Sequence, residues 1–148
     1  MITPISPDTL KDILPLIRDY QTFYQIADIS DALNATFFAQ FGEHSPLGCQ
    51  FAYRDDGQAV AFATVYLTFA STIAAKVAVL NDLYTTPDCR GKGIGQQLIA
   101  HCRQYAKGQG AVRLQWITGI DNVHAQQLYD KLDTHKRAWY FYTCTTES

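Results

Sequence analysis

Arg90-Gly91-Lys92-Gly93-Ile94-Gly95 packs three glycines and two cations into six residues, a combination suited to holding an anion. Glycine lets the backbone adopt positive φ and approach a ligand with no Cβ in the way. Arg90 and Lys92 add positive charge beside it. The apolar, strand-like run of residues 77–84 precedes the loop, and Gln96-Gln97-Leu98-Ile99-Ala100 follows it with good helix formers. The loop therefore opens a helix, whose first N–H groups have no partner and whose dipole turns its positive end toward the same spot. The order strand, glycine loop, helix predicts a phosphate cradle. Neither common nucleotide loop fits: G-x-G-x-x-G needs glycine where Gln96 stands, and the Walker A pattern needs Ser or Thr where Gly93 follows Lys92.

The elements that must position this loop can be read in chain order. Ser6-Pro7-Asp8 supplies an N-cap, a proline and an acidic first turn, and Leu10, Ile13, Leu14 and Ile17 keep a helical stripe. Ser30-Asp31 restarts the pattern, with Leu33, Phe37, Phe38 and Phe41 on a second helix. Residues 50–54 alternate, Asp55-Asp56-Gly57 is a hairpin signal, and residues 59–69 and 74–84 are further antiparallel strands. The helix of residues 93–107 is stopped by Gly108 and Gly110, and residues 112–118 follow as a strand parallel to the one before the loop. Asp121-Asn122 caps a last helix carrying Ala125, Leu128, Tyr129 and Leu132, and residues 138–143 read as a strand that closes the sheet. The fold class expected is α/β (α+β): a mixed, mostly antiparallel sheet with one parallel strand pair at the glycine loop and helices on both faces.

Composition narrows the function. The 148 residues, 47% apolar and 18% charged, are expected to form one domain over 1–148. A net charge of −2 and the lack of clustered Lys and Arg argue against a nucleic-acid partner. No run approaches membrane-spanning length and the N-terminus lacks a basic region followed by an apolar one, so a cytoplasmic location is expected. Cys49, Cys89, Cys102 and Cys144 are scattered, with no C-x-x-C pair and no His at zinc-ligand spacing, so they read as free thiols and no metal is expected. Cys89 beside Arg90 has the setting of an activated thiol, but a loop residue next to the cradle reads as incidental.

Arg90-Gly91-Lys92-Gly93-Ile94-Gly95 resembles the Gln/Arg-x-x-Gly-x-Gly/Ala signature of the GCN5-related N-acetyltransferases, and Asn122-Val123-His124-Ala125-Gln126-Gln127-Leu128-Tyr129 resembles their later Asn-x-x-Ala-x-x-Leu/Phe-Tyr motif. Within that superfamily the chain looks like the diamine/spermidine acetyltransferase group, through Phe41-Gly42-Glu43-His44, Ala61-Phe62-Ala63-Thr64-Val65-Tyr66 and Leu80-Asn81-Asp82-Leu83-Tyr84-Thr85. The resemblance covers nearly the whole chain. It implies acetyl-CoA as co-substrate, with the pyrophosphate on Arg90, Gly91, Lys92, Gly93, Ile94, Gly95 and Gln96, and the pantetheine arm along Leu83, Tyr84 and Thr85. Asn122 and Ala125 would meet the cofactor arm, and Tyr129 would lie near the thioester sulfur. Two departures stand out. Asn81-Asp82 replaces a Glu-Asp pair, and Lys131-Leu132-Asp133-Thr134 replaces a Gly-Phe or Gly-Ala turn.

Acetyl transfer to an amine needs its neutral lone pair, yet an alkylamine of pKa about 10.4 is almost wholly protonated at neutral pH. Asp82 and Glu43 are the acidic candidates for removing that proton, with His44 and His124 as alternatives. Backbone N–H groups at Leu83, Tyr84 and Thr85 would face the oxyanion, and Tyr129 would protonate the departing thiolate. The expected activity is acetyl-CoA-dependent N-acetylation of a small primary amine such as a polyamine, a diamine or an amino-acid-like acceptor. The alternatives are a protein N-acetyltransferase and a catalytically silent acyl-CoA-binding regulatory module. A homodimer is expected from the superfamily and from the aromatic run Trp139-Tyr140-Phe141-Tyr142.

Overall fold

The structure, a computed structural model, describes residues 1–147. Its chain divides into two compact units, residues 1–116 and the remainder from Ile117. The first unit is built on a five-stranded sheet, β1 (Ile2–Pro4), β2 (Gly48–Asp55), β3 (Gln58–Ala70), β4 (Ala75–Thr85) and β5 (Leu114–Gln115), in the order β1-β2-β3-β4-β5. The first three pairings are antiparallel and β4 with β5 is parallel. Asp56 and Gly57 make the β2–β3 turn with φ of 49° and 78°, the left-handed pair whose twist suits a two-residue hairpin.

Helices cover both faces of this sheet. On one face α1 (Leu14–Phe23) and α2 (Asp31–Phe38) bring Ile13, Ile17 and Phe38 into a core with Ala52, Phe62 and Tyr84. On the other, α3 (Ile94–Gly108) buries Ile94, Leu98, Ile99, Cys102 and Ala106, the i, i+4, i+8 stripe of an amphipathic helix. There Phe51 meets the rings of His101 and Tyr105 at 4.6 and 5.3 Å. The Ser30 hydroxyl accepts from the Leu33 N–H at 3.1 Å, capping α2 as its sequence predicts.

Three elements differ from expectation. The first helix does not run from Ser6: residues 6–9 form a turn, Leu10–Asp12 is a short 3₁₀ segment, and α1 begins at Leu14. Pro15 explains this, because a helix continuing through it would lose a hydrogen bond and meet its ring. A restart at Leu14 puts the proline in the first turn, where an N–H has no partner anyway. The parallel strand is only two residues long. In the second unit, α4 (Val123–Asp130) forms with Asn122 as its cap, but residues 138–143 are not a strand. Trp139, Tyr140, Phe141 and Tyr142 stand 77 to 90% exposed, and strand propensity expresses itself only where a neighbouring strand or core receives the side chains.

Candidate active site

β4 carries one extra residue. Thr64 pairs with Asp82 and Val65 with Leu80, so Asn81 is bulged out of the ladder. The Asn81 amide then donates to Tyr66 Oη at 3.2 Å and to Asp82 Oδ1 at 3.1 Å. Asp82 is 6% exposed and its Oδ2 has no hydrogen-bond partner among the described residues. Burial raises the carboxyl pKa, and the Thr64, Tyr20 and Asn81 side chains facing it only partly oppose that. The Tyr66 phenol is in turn pushed up to about 12, first by burial and then by the charge of Asp82. A carboxylate whose pKa is raised in this way is a better proton acceptor than an ordinary Asp.

A buried polar row supports that carboxyl. Gln50 on β2, Thr64 on β3 and Asp82 on β4 are successive cross-strand partners. Gln50 Nε2 donates to Thr64 Oγ1 at 3.2 Å, which leaves the Thr64 hydroxyl proton for Asp82. Sequence reasoning passed over both residues. Their signal was a Gln and a Thr at inward positions of otherwise apolar strands.

Asp82 opens on a cavity of about 360 Å³ between the helix pair and the sheet. The sheet contributes Tyr66, Asn81 and Asp82; the helices contribute Tyr20, Gln21, Leu33, Asn34, Phe37 and Phe38. Glu43, the other acidic candidate, does not line this cavity. It sits exposed with His44 in the turn before β2, and its charge acts on the buried Cys49 thiol.

Beyond Asp82 the strand leads to the glycine loop. Leu83, Tyr84 and Thr85 pair with β3 on one edge, while β5 reaches only Ala78 and Val79, so their other edge is open among the described strands. Arg90 Nε donates to the Thr85 carbonyl at 2.9 Å, and its guanidinium lies 5.5 Å from the centre of the Tyr84 ring. Gly91 and Gly93 take φ of 78° and 79°, and a Cβ on either would meet open space. Gly95 is different: it lies in the first turn of α3 without positive φ, so the expected conformational need for glycine is met at two of the three positions. The N–H groups of Gly91, Lys92, Gly93, Ile94, Gly95 and Gln96 have no acceptor among the described residues, and the ladder closes first at Gln97, which donates to Gly93 at 3.1 Å. Adjacent donors on the exposed turn of residues 91–93 and in the first turn of α3 fit a pyrophosphate.

In the second unit, Asn122 Oδ1 accepts from the Ala125 N–H at 3.4 Å, leaving the Asn122 amide N–H groups outside the capping bond. Tyr129 is half-buried on α4 and its carbonyl accepts from Thr134 at 3.0 Å. His124, on the same helix, is exposed.

The family model described as the acetyltransferase (GNAT) family matches residues 13–133. The chain belongs to that family. GNAT relatives agree: the chain is 30% identical over 119 residues to the uncharacterized N-acetyltransferase YhfO of Bacillus subtilis (strain 168), covering 80% of this chain and 78% of that one. It is also 30% identical over 133 residues to the D-amino-acid N-acetyltransferase HPA3 of Saccharomyces cerevisiae, covering 89% and 83%. A solved structure of a probable acetyltransferase shares the fold with a TM-score of 0.85 at 22% identity, covering 100% and 99%. This GNAT chain is thus an acetyltransferase, and the sheet with its parallel pair beside the glycine loop is the GNAT architecture.

Proposed function

We propose that the protein moves an acetyl group from acetyl-CoA to the primary amine of a small molecule, by direct attack of that amine on the thioester. Acetyl-CoA supplies the acetyl group in activated form. Everything else is the work of this chain. The free N–H groups of residues 91–96, with Lys92, take the pyrophosphate, each charge-assisted bond contributing about 1.5–3 kcal/mol. Leu83, Tyr84 and Thr85 present an open strand edge to the pantetheine arm, in the way an edge accepts an added strand. Asp82 binds the incoming ammonium and takes its proton. Tyr129 gives a proton to the departing sulfur, and Asn122 and Ala125 meet the cofactor arm. Glu43, exposed and outside the cavity, is the weaker candidate for base.

The observation that carries this reading is Asp82: a buried carboxyl with one unpartnered oxygen, on an aromatic cavity, three residues before the open edge ends at Thr85. The acceptor class is the small primary amine, which includes the diamines, polyamines and amino-acid-like amines suggested by the likeness to the diamine/spermidine group. We further propose that the chain is one catalytic domain, acting in the cytoplasm as a homodimer. The exposed aromatic residues 139–142 support the dimer, since so large an apolar surface favours a partner; light scattering at micromolar concentration should give twice the chain mass. The central test is release of CoA on a panel of amines. Turnover by the wild type that collapses in Asp82→Asn, with acetyl-CoA binding retained by calorimetry, is the expected outcome; binding without turnover on any amine would overturn the reading.

A further inference from the structure

Resting on the reading of this cavity as the acceptor site, we infer that its amine is a compact arylalkyl monoamine whose far end carries a neutral hydrogen-bonding group, read by the paired amides of Gln21 and Asn34. The two amides hold each other in a closed pair: Gln21 Nε2 donates to Asn34 Oδ1 at 2.9 Å, and Asn34 Nδ2 donates to Gln21 Oε1 at 2.8 Å. Each amide has two donors and two acceptor lone pairs, so each keeps one of both after pairing. Both residues line the cavity, and Asn34 is 6% exposed, so the pair's unused valences are partly withheld from bulk water, where a matching ligand group is worth more than on the open surface. The pair belongs to the helical lining, while Asp82 belongs to the sheet lining.

Within the small primary amines, charge ranks the others below this one. Among the described residues no Lys, Arg or His lines the cavity, so the carboxylate of an amino acid would enter it with no cation to meet it. Asp82 is the one carboxyl there, so a diamine or a polycationic aminoglycoside would bring a second ammonium into the same poverty of partners. Tyr20, Phe37, Phe38 and Tyr66 supply ring faces and edges for an aromatic body, as Phe37 and Phe38 already show for each other at 5.0 Å. A volume of about 360 Å³ lies at the small end of ligand cavities.

The test compares kcat/KM, by CoA release, for tyramine, phenethylamine, D-phenylalanine, putrescine and kanamycin. Tyramine and phenethylamine differ by one hydroxyl; phenethylamine and D-phenylalanine differ by one carboxylate. Tyramine is expected to exceed phenethylamine about tenfold, the worth of one buried neutral hydrogen bond, and the other three amines should lie below both. In the double variant Gln21→Met/Asn34→Leu, which leaves neither amide stranded, the tyramine-to-phenethylamine ratio should fall to about one. Gln21→Glu keeps the bond from Asn34 Nδ2 and adds a carboxylate, so the ratio of putrescine to tyramine should rise at least tenfold, an outcome that does not depend on the double variant folding. Equal turnover of tyramine and phenethylamine by the wild type, or a preference for D-phenylalanine, putrescine or kanamycin, would overturn this inference and leave acetyl transfer standing. No turnover of any amine would overturn both.

Discussion

Two places along one run of chain handle polar groups in opposite ways. At the β4 bulge a carboxyl is 6% exposed and one of its oxygens has no partner among the described residues, while in the loop that follows a run of N–H groups lacks backbone partners at a largely exposed turn. The first arrangement strains the folded state, because burial opposes the charge. The second is nearly free until an anion arrives, since water satisfies exposed donors. Proton transfer needs an acid whose pKa is displaced, which requires desolvation; anion binding needs only donors aimed at one point. Mutations at the two places should therefore separate activity from stability at the first and act mainly on cofactor affinity at the second.

Asp82→Asn should have the largest effect. Loss of the base lowers kcat by about 10²–10⁴, the usual worth of general acid–base help, while the melting temperature rises at neutral pH. The sign follows from the raised pKa: the folded state holds the proton more tightly than the unfolded chain, so wild-type stability falls as pH climbs through the raised value. Well below the ordinary Asp range both states are protonated and the two proteins should melt alike. Melting curves at acid and neutral pH check this, and a lower neutral melting temperature in the variant would mean that Asp82 stabilises the fold.

Gly93→Val tests the loop. Valine at φ of 79° is strained by about 1–2 kcal/mol, so the loop should relax away from its present course and acetyl-CoA affinity fall by about 100-fold, as if two charge-assisted bonds were lost. Gly95→Ala, at a position without positive φ, should weaken affinity far less. Calorimetry on both variants separates backbone conformation from mere crowding, and equal losses would refute the distinction drawn between the two glycines.

What was readable in the sequence was local. The glycine loop, the Ser30 cap, the Asp56-Gly57 hairpin and the Asn122 cap each depend on a few neighbouring residues, and all four form. The bulge at Asn81 and the row Gln50, Thr64, Asp82 depend on register between strands 14 to 18 residues apart in the chain, which no local pattern fixes. Asp82 was found by its type and position, yet its burial and its free oxygen needed the register. Residues 138–143 failed in the other direction: they are strong strand formers, yet they are not a strand in the described structure and their rings stand exposed.

Tyr129→Phe tests the proposed acid on α4. Turnover at neutral pH should fall by about 10², kcat and kcat/KM together, with little change in the KM for acetyl-CoA. A normal kcat in a folded variant would make Tyr129 a scaffold residue.

The smallest effect, and the most specific, is expected from Thr64→Val. The Thr64 hydroxyl lowers the pKa of Asp82 against the larger effect of burial, so its removal should push that pKa higher. Activity that requires ionised Asp82 rises with pH through this value, so the acid limb of kcat/KM should move to higher pH by less than about one unit, with turnover recovering above it. Stability suffers for a separate reason: Gln50 Nε2 loses its acceptor while Gln50 Oε1 already lacks a donor among the described residues, and a buried amide with no partner costs about 1–3 kcal/mol. Pairing Thr64→Val with Gln50→Leu removes both polar groups, and the melting temperature should recover while the limb stays displaced. A purely structural Thr64 predicts the reverse, with stability lost and the pH profile unmoved; the two readouts distinguish a residue that tunes the acid from one that only fills the sheet.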